Sequence, residues 1–308
     1  MLLKKRVCVI GSTNIDMTMH LDRLPRIGET ITNGDVYQSF GGKGANQAVG
    51  AAKAGGDVVF ITSLGDDNFN SLLIDNFRRN NINTDYIHTE IGSYTGTALI
   101  ITDKQGNNYI GVASGANDYL TPQVIKESIS VIENSDIILL QCEIPLDTNK
   151  YIIDLCNKFG KKVVLNLAPA INLDDSYLSK LHLLVVNETE AEFLSGGKTV
   201  SNDDIKETAE ILISKGPENV IITLGARGSY VRTNKKSFFV DSYPVNAVDT
   251  TGAGDVFCGS LAVALTEGKN YEDAVIFATA AAALCVTRLG AQLSAPFRHE
   301  IDSFLKSN

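Results

Sequence analysis

The first feature of this chain that suggests chemistry is a carboxylate set among main-chain amides. Residues 249–255 read Asp-Thr-Thr-Gly-Ala-Gly-Asp, and an apolar helical pattern follows at once. Glycine-rich amides at a helix start point their N–H groups outward, where they meet about half a unit of positive helix-end charge. Such a place suits an anion, and a phosphoryl group is the natural candidate. Gly252, Ala253 and Gly254 would supply the amides. Asp255 sits in the first turn, where a carboxylate would repel phosphate unless it had a task. Taking the proton from a hydroxyl that attacks the phosphoryl group is such a task, worth about 10²–10⁴ in rate. The alternative is that Asp255 only complements the helix dipole.

Residues 39–48, Ser-Phe-Gly-Gly-Lys-Gly-Ala-Asn-Gln-Ala, hold a second candidate. Gly41, Gly42 and Gly44 let the backbone approach a ligand closely. Lys43 and Asn46 can donate to hydroxyls, although Lys43 could equally be a solvated charge. No Ser or Thr follows the Gly-Lys pair, so this is not a Walker A loop. Asn14 and Asp16 fall on one face of an extended segment. An amide and a carboxylate there can grip adjacent sugar hydroxyls, though turns also favour these residues. Asn187 and Glu190 have the spacing of a capping box, and they also suit a place beside nucleotide phosphates and Mg²⁺. Residues 223–228 follow another strand, as a hairpin turn or a nucleotide-contacting loop. Gly197-Lys198-Thr199 imitates a P-loop end but lacks its first glycine.

The elements that must position these residues alternate. Apolar strand-like runs occur at 7–10, 58–62, 137–140, 162–165, 183–186 and 220–223. Helical patterns occur at 44–54, 68–79, 148–159 and 203–215, then at 252–266 and 271–286. Continuous Val/Ile/Leu strands separated by helices predict a parallel sheet covered on both faces. The fold class is therefore α/β, a three-layer αβα sandwich with a mostly parallel central sheet. Residues 13–40 and 94–113 break the rhythm with β patterns, the second a hairpin. They favour a small β-sheet lid over an antiparallel extension of the main sheet. The expected organisation is one domain over residues 1–308, with the lid as two insertions.

Composition excludes several classes. Net charge is −9, against a nucleic-acid footprint. The 5 cysteines show no paired spacing and several lie in apolar runs, as expected of buried thiols in a cytoplasmic protein. The 4 histidines show no zinc spacing. No apolar run reaches the roughly 18 residues of a membrane span, and the N-terminal run is too short for a signal-peptide core.

Taken in order, these motifs resemble the ribokinase family of carbohydrate kinases, phosphofructokinase-B-like, from Val7 to about Leu305. The 249–255 signature is shared across that wider family, including fructokinases and nucleoside kinases, so it marks ATP-dependent phosphoryl transfer rather than a sugar. The runs 41–48 and 287–292 (Thr-Arg-Leu-Gly-Ala-Gln) resemble the ribokinases more narrowly. The resemblance implies that Asn14, Asp16, Gly42, Lys43, Gly44, Asn46 and Glu143 bind ribose, with Ala98 and Ile110 covering its apolar face. It implies that Asn187, Thr223, Gly225, Arg227, Gly228 and Gly254 contact ATP. Thr279 stands where relatives often carry His beside adenine. Glu190 would help place Mg²⁺ through water, Gly252–Gly254 would form an anion hole, and Asp255 would be the base. A monovalent cation, usually K⁺, is implied at Asp249, Thr251, Cys285, Arg288, Gly290 and Ser294, held mostly by backbone carbonyls. The expected reaction is ATP plus ribose to ribose 5-phosphate and ADP. A kinase for deoxyribose, fructose or adenosine and a non-catalytic sugar-binding protein are the alternatives. An exposed lid edge points to a homodimer packed lid to lid.

Overall fold

The computed structural model describes residues 5–308. Its strands, in chain order, are β1 (Arg6–Ile10), β2 (Asn14–Leu21), β3 (Asp35–Gly41), β4 (Asp57–Gly65), β5 (Ile87–Glu90), β6 (Gly96–Asp103), β7 (Asn108–Ala113), β8 (Ile137–Leu140), β9 (Lys162–Asn166), β10 (Leu183–Asn187), β11 (Asn219–Thr223), β12 (Ser229–Thr233) and β13 (Ser237–Val240). The large sheet runs β13-β12-β11-β10-β9-β8-β1-β4-β5, and the small one β3-β2-β6-β7. From β11 to β5 every neighbouring pair is parallel, while β12 and β13 continue antiparallel.

Alternation explains why β1 is apolar throughout. Val7 and Val9 enter one core, and Cys8 and Ile10 enter the other. The first core is closed by Val49 of helix Lys43–Lys53, Leu261 of helix Ala253–Thr266 and Phe277 of helix Tyr271–Cys285. The second is closed by Ile152 of helix Leu146–Phe159 and Ala209 of helix Asn202–Ser214. This is the expected αβα sandwich. All five cysteines are buried and free, and burial pushes the Cys156 thiol up to about 12.

The small sheet is separate from the large one, so the β insertions make a lid and not an extension. Its two central strands, β2 and β6, pair in parallel, which the hairpin pattern alone did not foretell. The helix expected from 68 begins at Asn70, because Asp67 first bonds the Phe69 amide (2.9 Å) in a turn. The helix expected from 148 begins at Leu146, directly after Pro145. Beside β1 lie β8 on one side and β4 on the other. The order of strands reverses there, and the crevice beyond their carboxyl ends is where open α/β sheets take ligands.

Candidate active site

The helix Ala253–Thr266 starts from Gly252, whose φ is 77°. A Cβ at Gly252 would lie 2.8 Å from Cα of Ala291, so the loop can turn there only with glycine. No side chain caps this helix, and the Gly254 and Asp255 amides have no partner within its first turn. A Cβ on Gly254 would meet nothing within 4 Å, so the helix start faces open space. That space is a polar cavity of about 250 Å³ lined by Lys43, Asn187, Glu190, Gly252, Gly254 and Asp255.

Asp255 is only 7% exposed. Its Oδ2 accepts from Asn46 Nδ2 at 3.0 Å and its Oδ1 from Gln47 Nε2 at 3.1 Å. Burial pushes its carboxyl up; Lys43 and the two amide donors pull it back, Glu143 adds to the rise, and the net direction is upward. Burial works against the Lys43 ammonium, but Asp255, Glu143 and Glu190 outweigh it and hold the group charged. Helix Lys43–Lys53 is placed by Glu143, whose Oε2 accepts from Ser12 Oγ (2.6 Å) and from the Lys43 amide (2.9 Å). Gly42, at φ 87°, turns the chain from β3 into that helix, and Gly44 bonds Ser12 Oγ through its amide (3.3 Å).

The Asp16 carboxylate receives no protein hydrogen bond among the described residues. Burial first, then the charges of Glu143 and Asp255, push its carboxyl up to about 6. Asn14, buried beside it on β2, accepts from Asn117 Nδ2 at 2.8 Å. Asp16 is level with Ala98 across β2 and β6. Ile110 pairs with Ile100 on that same face and is 59% exposed.

A larger cavity of about 550 Å³ joins the polar one at Thr223, Thr250 and Gly254. Tyr243, Val245, Phe257 and Ala282 make it mostly apolar. Gly225, Gly228, Ala253 and Thr279 also line it, and the buried Thr279 hydroxyl has no hydrogen-bond partner among the described residues. Residues 223–228 make the hairpin turn from β11 to β12, and Thr223, Gly225, Ala226 and Gly228 of that turn line this cavity. Asn187 and Glu190 likewise form a complete capping box and face the polar cavity. The Arg227 side chain lies elsewhere: its guanidinium pairs with Glu188 and donates to the Thr199 carbonyl (3.0 Å).

The residues expected around a monovalent cation gather into one loop cluster. Asp249 accepts from the Thr251 and Gly290 amides, both at 2.9 Å, and Cys285 Sγ lies 3.0 Å from Ser294 Oγ. The Arg288 side chain turns away to Glu300 (2.5 Å). Among the described residues no group of three or more His, Cys, Asp or Glu is arranged to hold a metal. No helix there is long and apolar enough to cross a membrane.

Several polar residues were not foreseen. Gln47 bonds Asp255, Asn166 and Gln141, and Gln292 bonds Asn46. Gln47 carried no signal, because glutamine is an ordinary helix former that sits as readily on an exposed face, and only the fold shows it buried. Asn166, Gln141 and Gln292 carried none, since their partners are 119, 94 and 246 residues away.

An αβα sandwich with a small sheet beside a buried carboxylate at an open helix start is the build of an ATP-dependent sugar kinase. The family model for pfkB family carbohydrate kinases matches residues 4–298, and the chain belongs to that family. It is 40% identical to a ribokinase of Haemophilus influenzae over 304 residues, covering 99% of both chains. It is 37% identical to a deoxyribokinase of Salmonella typhimurium over 303 residues, covering 98% of this chain and 99% of that one. The structure of Arabidopsis thaliana ribokinase complexed with ribose and ATP superposes with a TM-score of 0.93 at 32% identity, covering 99% of each chain.

Proposed function

We propose that this protein transfers the γ-phosphoryl group of ATP to O5 of D-ribose, giving ribose 5-phosphate and ADP. One observation carries the reading: Asp255 lies at the helix start where a polar and a mostly apolar cavity meet, and Gly254 lines both. The larger cavity has the size and apolar lining for a nucleoside, through Thr223, Gly225, Gly228 and Thr279. The smaller one brings phosphates to the amides of Gly252, Ala253 and Gly254. Asn14, Asp16, Gly42, Lys43, Gly44, Asn46 and Glu143 grip the sugar, and Ala98 and Ile110 cover it. Asp255 takes the proton from the attacking hydroxyl, while the amides and Lys43 stabilise charge on the transferred group.

The donor set suits a magnesium ion. Glu190 presents a carboxylate to the polar cavity with one oxygen, Oε2, held by the Asn187 amide (2.8 Å). Mg²⁺ keeps several waters and takes few protein oxygens, and when bound it supplies charge neutralisation for the phosphates. The loop cluster at Asp249, Thr251, Cys285, Arg288, Gly290 and Ser294 is read as a K⁺ site behind the helix start, where the carbonyls suit a large hard cation. The chain is read as one domain over 1–308 with lid insertions at 13–40 and 94–113. A homodimer through the lid fits the exposed Val36, Leu99 and Tyr109 on its face opposite Asp16. Buried free cysteines suit the cytoplasm.

The test is coupled ADP release with ribose, deoxyribose, fructose and adenosine, with and without K⁺. Ribose should give the highest kcat/KM. Preference for deoxyribose, which the Salmonella relative's name makes the second reading, would replace the substrate. No ADP from any of them would leave a sugar-binding protein.

A further inference from the structure

We propose that Gln47 is a positioning residue for Asp255, holding one carboxylate oxygen so that the other lone pairs point at the substrate hydroxyl. This deepens the reading of Asp255 as the base and rests on it. Gln47 is fully buried, and each of its amide atoms is engaged. Nε2 donates to Asp255 Oδ1 (3.1 Å) and to Asn166 Oδ1 (3.0 Å), and Oε1 accepts from Gln141 Nε2 (2.6 Å).

The direction of this chain is dictated from its far end. The Val185 carbonyl can only accept, so Asn166 must turn Nδ2 toward it (3.3 Å) and Oδ1 toward Gln47. Gln47 must then present Nε2 to Asn166, and the same nitrogen reaches Asp255. Gln141 closes the other side by donating to Oε1. A flipped Gln47 would set its oxygen against both Asn166 Oδ1 and a carboxylate, so only one orientation survives. Asn46 holds the second carboxylate oxygen and is itself held by Gln292 (3.2 Å). A carboxylate offers about four lone-pair sites, and two amide donors leave two of them for the substrate.

The consequence concerns basicity. Burial favours the neutral acid, whereas a base must be ionised, and donors to the charged form resist protonation. Lys43 faces Asp255 with a positive charge. Asp16, Glu143 and Glu190 face it with negative ones, and the thiols of Cys258 and Cys285 stay neutral. Gln47 and Asn46 are the neutral donors here, and of the two Gln47 is the one not assigned to the sugar, so its removal changes neither the charge nor a proposed substrate contact.

The test is Gln47→Met, which keeps length without a donor, in the full-length enzyme. The acid limb of kcat/KM should move up by about one pH unit, as for loss of one hydrogen bond to a charged group. On the acid side of the limb kcat should fall by up to about tenfold and recover on its alkaline side, with both KM values within about threefold of the parent. A uniform loss at every pH, or a change in KM alone, overturns the proposal. If Gln47→Met does not fold, Gln141→Leu frees the amide to rotate, and the limb must move the same way by less; an unmoved limb overturns it. Asp255→Asn separates the two claims. Abolished turnover with ATP still raising Tm supports the base, and retained turnover removes the base whatever Gln47 does.

Discussion

Asp16 should weaken the protein it serves, and Asp16→Asn measures by how much. In the folded chain burial, Glu143 and Asp255 push its carboxyl up to about 6 from an ordinary 3.8. The native state therefore binds a proton more readily than the unfolded chain between those values. Stability falls as pH rises through that window, and the full cost is present above about 6. The gap corresponds to about 3 kcal/mol, and relaxation and water around a partly buried group bring it to roughly 1–2 kcal/mol. Unfolding 308 residues at about 2.1 cal/mol/K each gives roughly 0.65 kcal/mol per degree. Asp16→Asn should then raise the Tm of the ligand-free protein by about 2–3 °C at pH 7.5 and leave it unchanged near pH 4. Scanning fluorimetry across pH reads both numbers. The same variant should lose the Tm increase caused by ribose, because the amide replaces an acceptor that no protein donor occupies. A gain independent of pH, or a lower Tm at pH 7.5, would refute the electrostatic argument.

Further outcomes follow from named contacts. Gly259→Ala would set a Cβ 2.4 Å from the Gln47 carbonyl and 2.7 Å from the Ala51 amide, forcing apart the helices that carry Gln47 and Asp255. Overpacking costs about 1–3 kcal/mol and a displacement of this order can cost up to about 10² in kcat, so Tm and turnover should both fall. Gly50→Ala, whose Cβ would lie 3.2 Å from Val256 Cα, needs a much smaller adjustment and gains about 1 kcal/mol of helix propensity, so its Tm should stay within about 2 °C of the parent. Thr279→Val removes a buried hydroxyl without a partner among the described residues, and should raise the ligand-free Tm by about 1–2 °C while raising KM for ATP. Lys43→Met removes the positive charge that opposes burial at Asp255, so the acid limb of kcat/KM should move up by about one unit or more.

What was legible in the sequence was what is local. Strands such as Val7–Ile10 announce themselves because both faces are buried and every residue is apolar. Asp255 stood out because a helix start, three small residues and a carboxylate are adjacent in the chain. The lid was readable as β structure for the same reason, but the parallel pairing of β2 with β6 was not, since it joins segments about 80 residues apart. The strands β5, β12 and β13, at the two ends of the large sheet, escaped notice because their apolar runs are short or mixed with polar residues. The amides around Asp255 escaped because a buried Asn or Gln looks like any other until its partner is known. For Arg227 the local pattern left a turn and a nucleotide loop open and only the resemblance implied a ligand contact, while its ion pair with Glu188 depends on the helix that follows β10.

An acidic protein with three carboxylates around one lysine looks ill-suited to a polyphosphate. The arrangement resolves this by splitting the site into halves of opposite demand. On the side of Asp16, Glu143 and Asp255 the free groups are acceptors, which match a sugar whose hydroxyls arrive as donors. At the helix start the free groups are the N–H donors of Gly254 and Asp255 with helix-end charge, which match phosphate oxygens that can only accept. Lys43 lies between them and stays charged because the carboxylates surround it. On the proposed reading Asp255 sits at this boundary because a proton must leave the donor-rich sugar as its oxygen becomes an ester of the acceptor-rich phosphate. A carboxylate deeper in either half would lack one of the two partners.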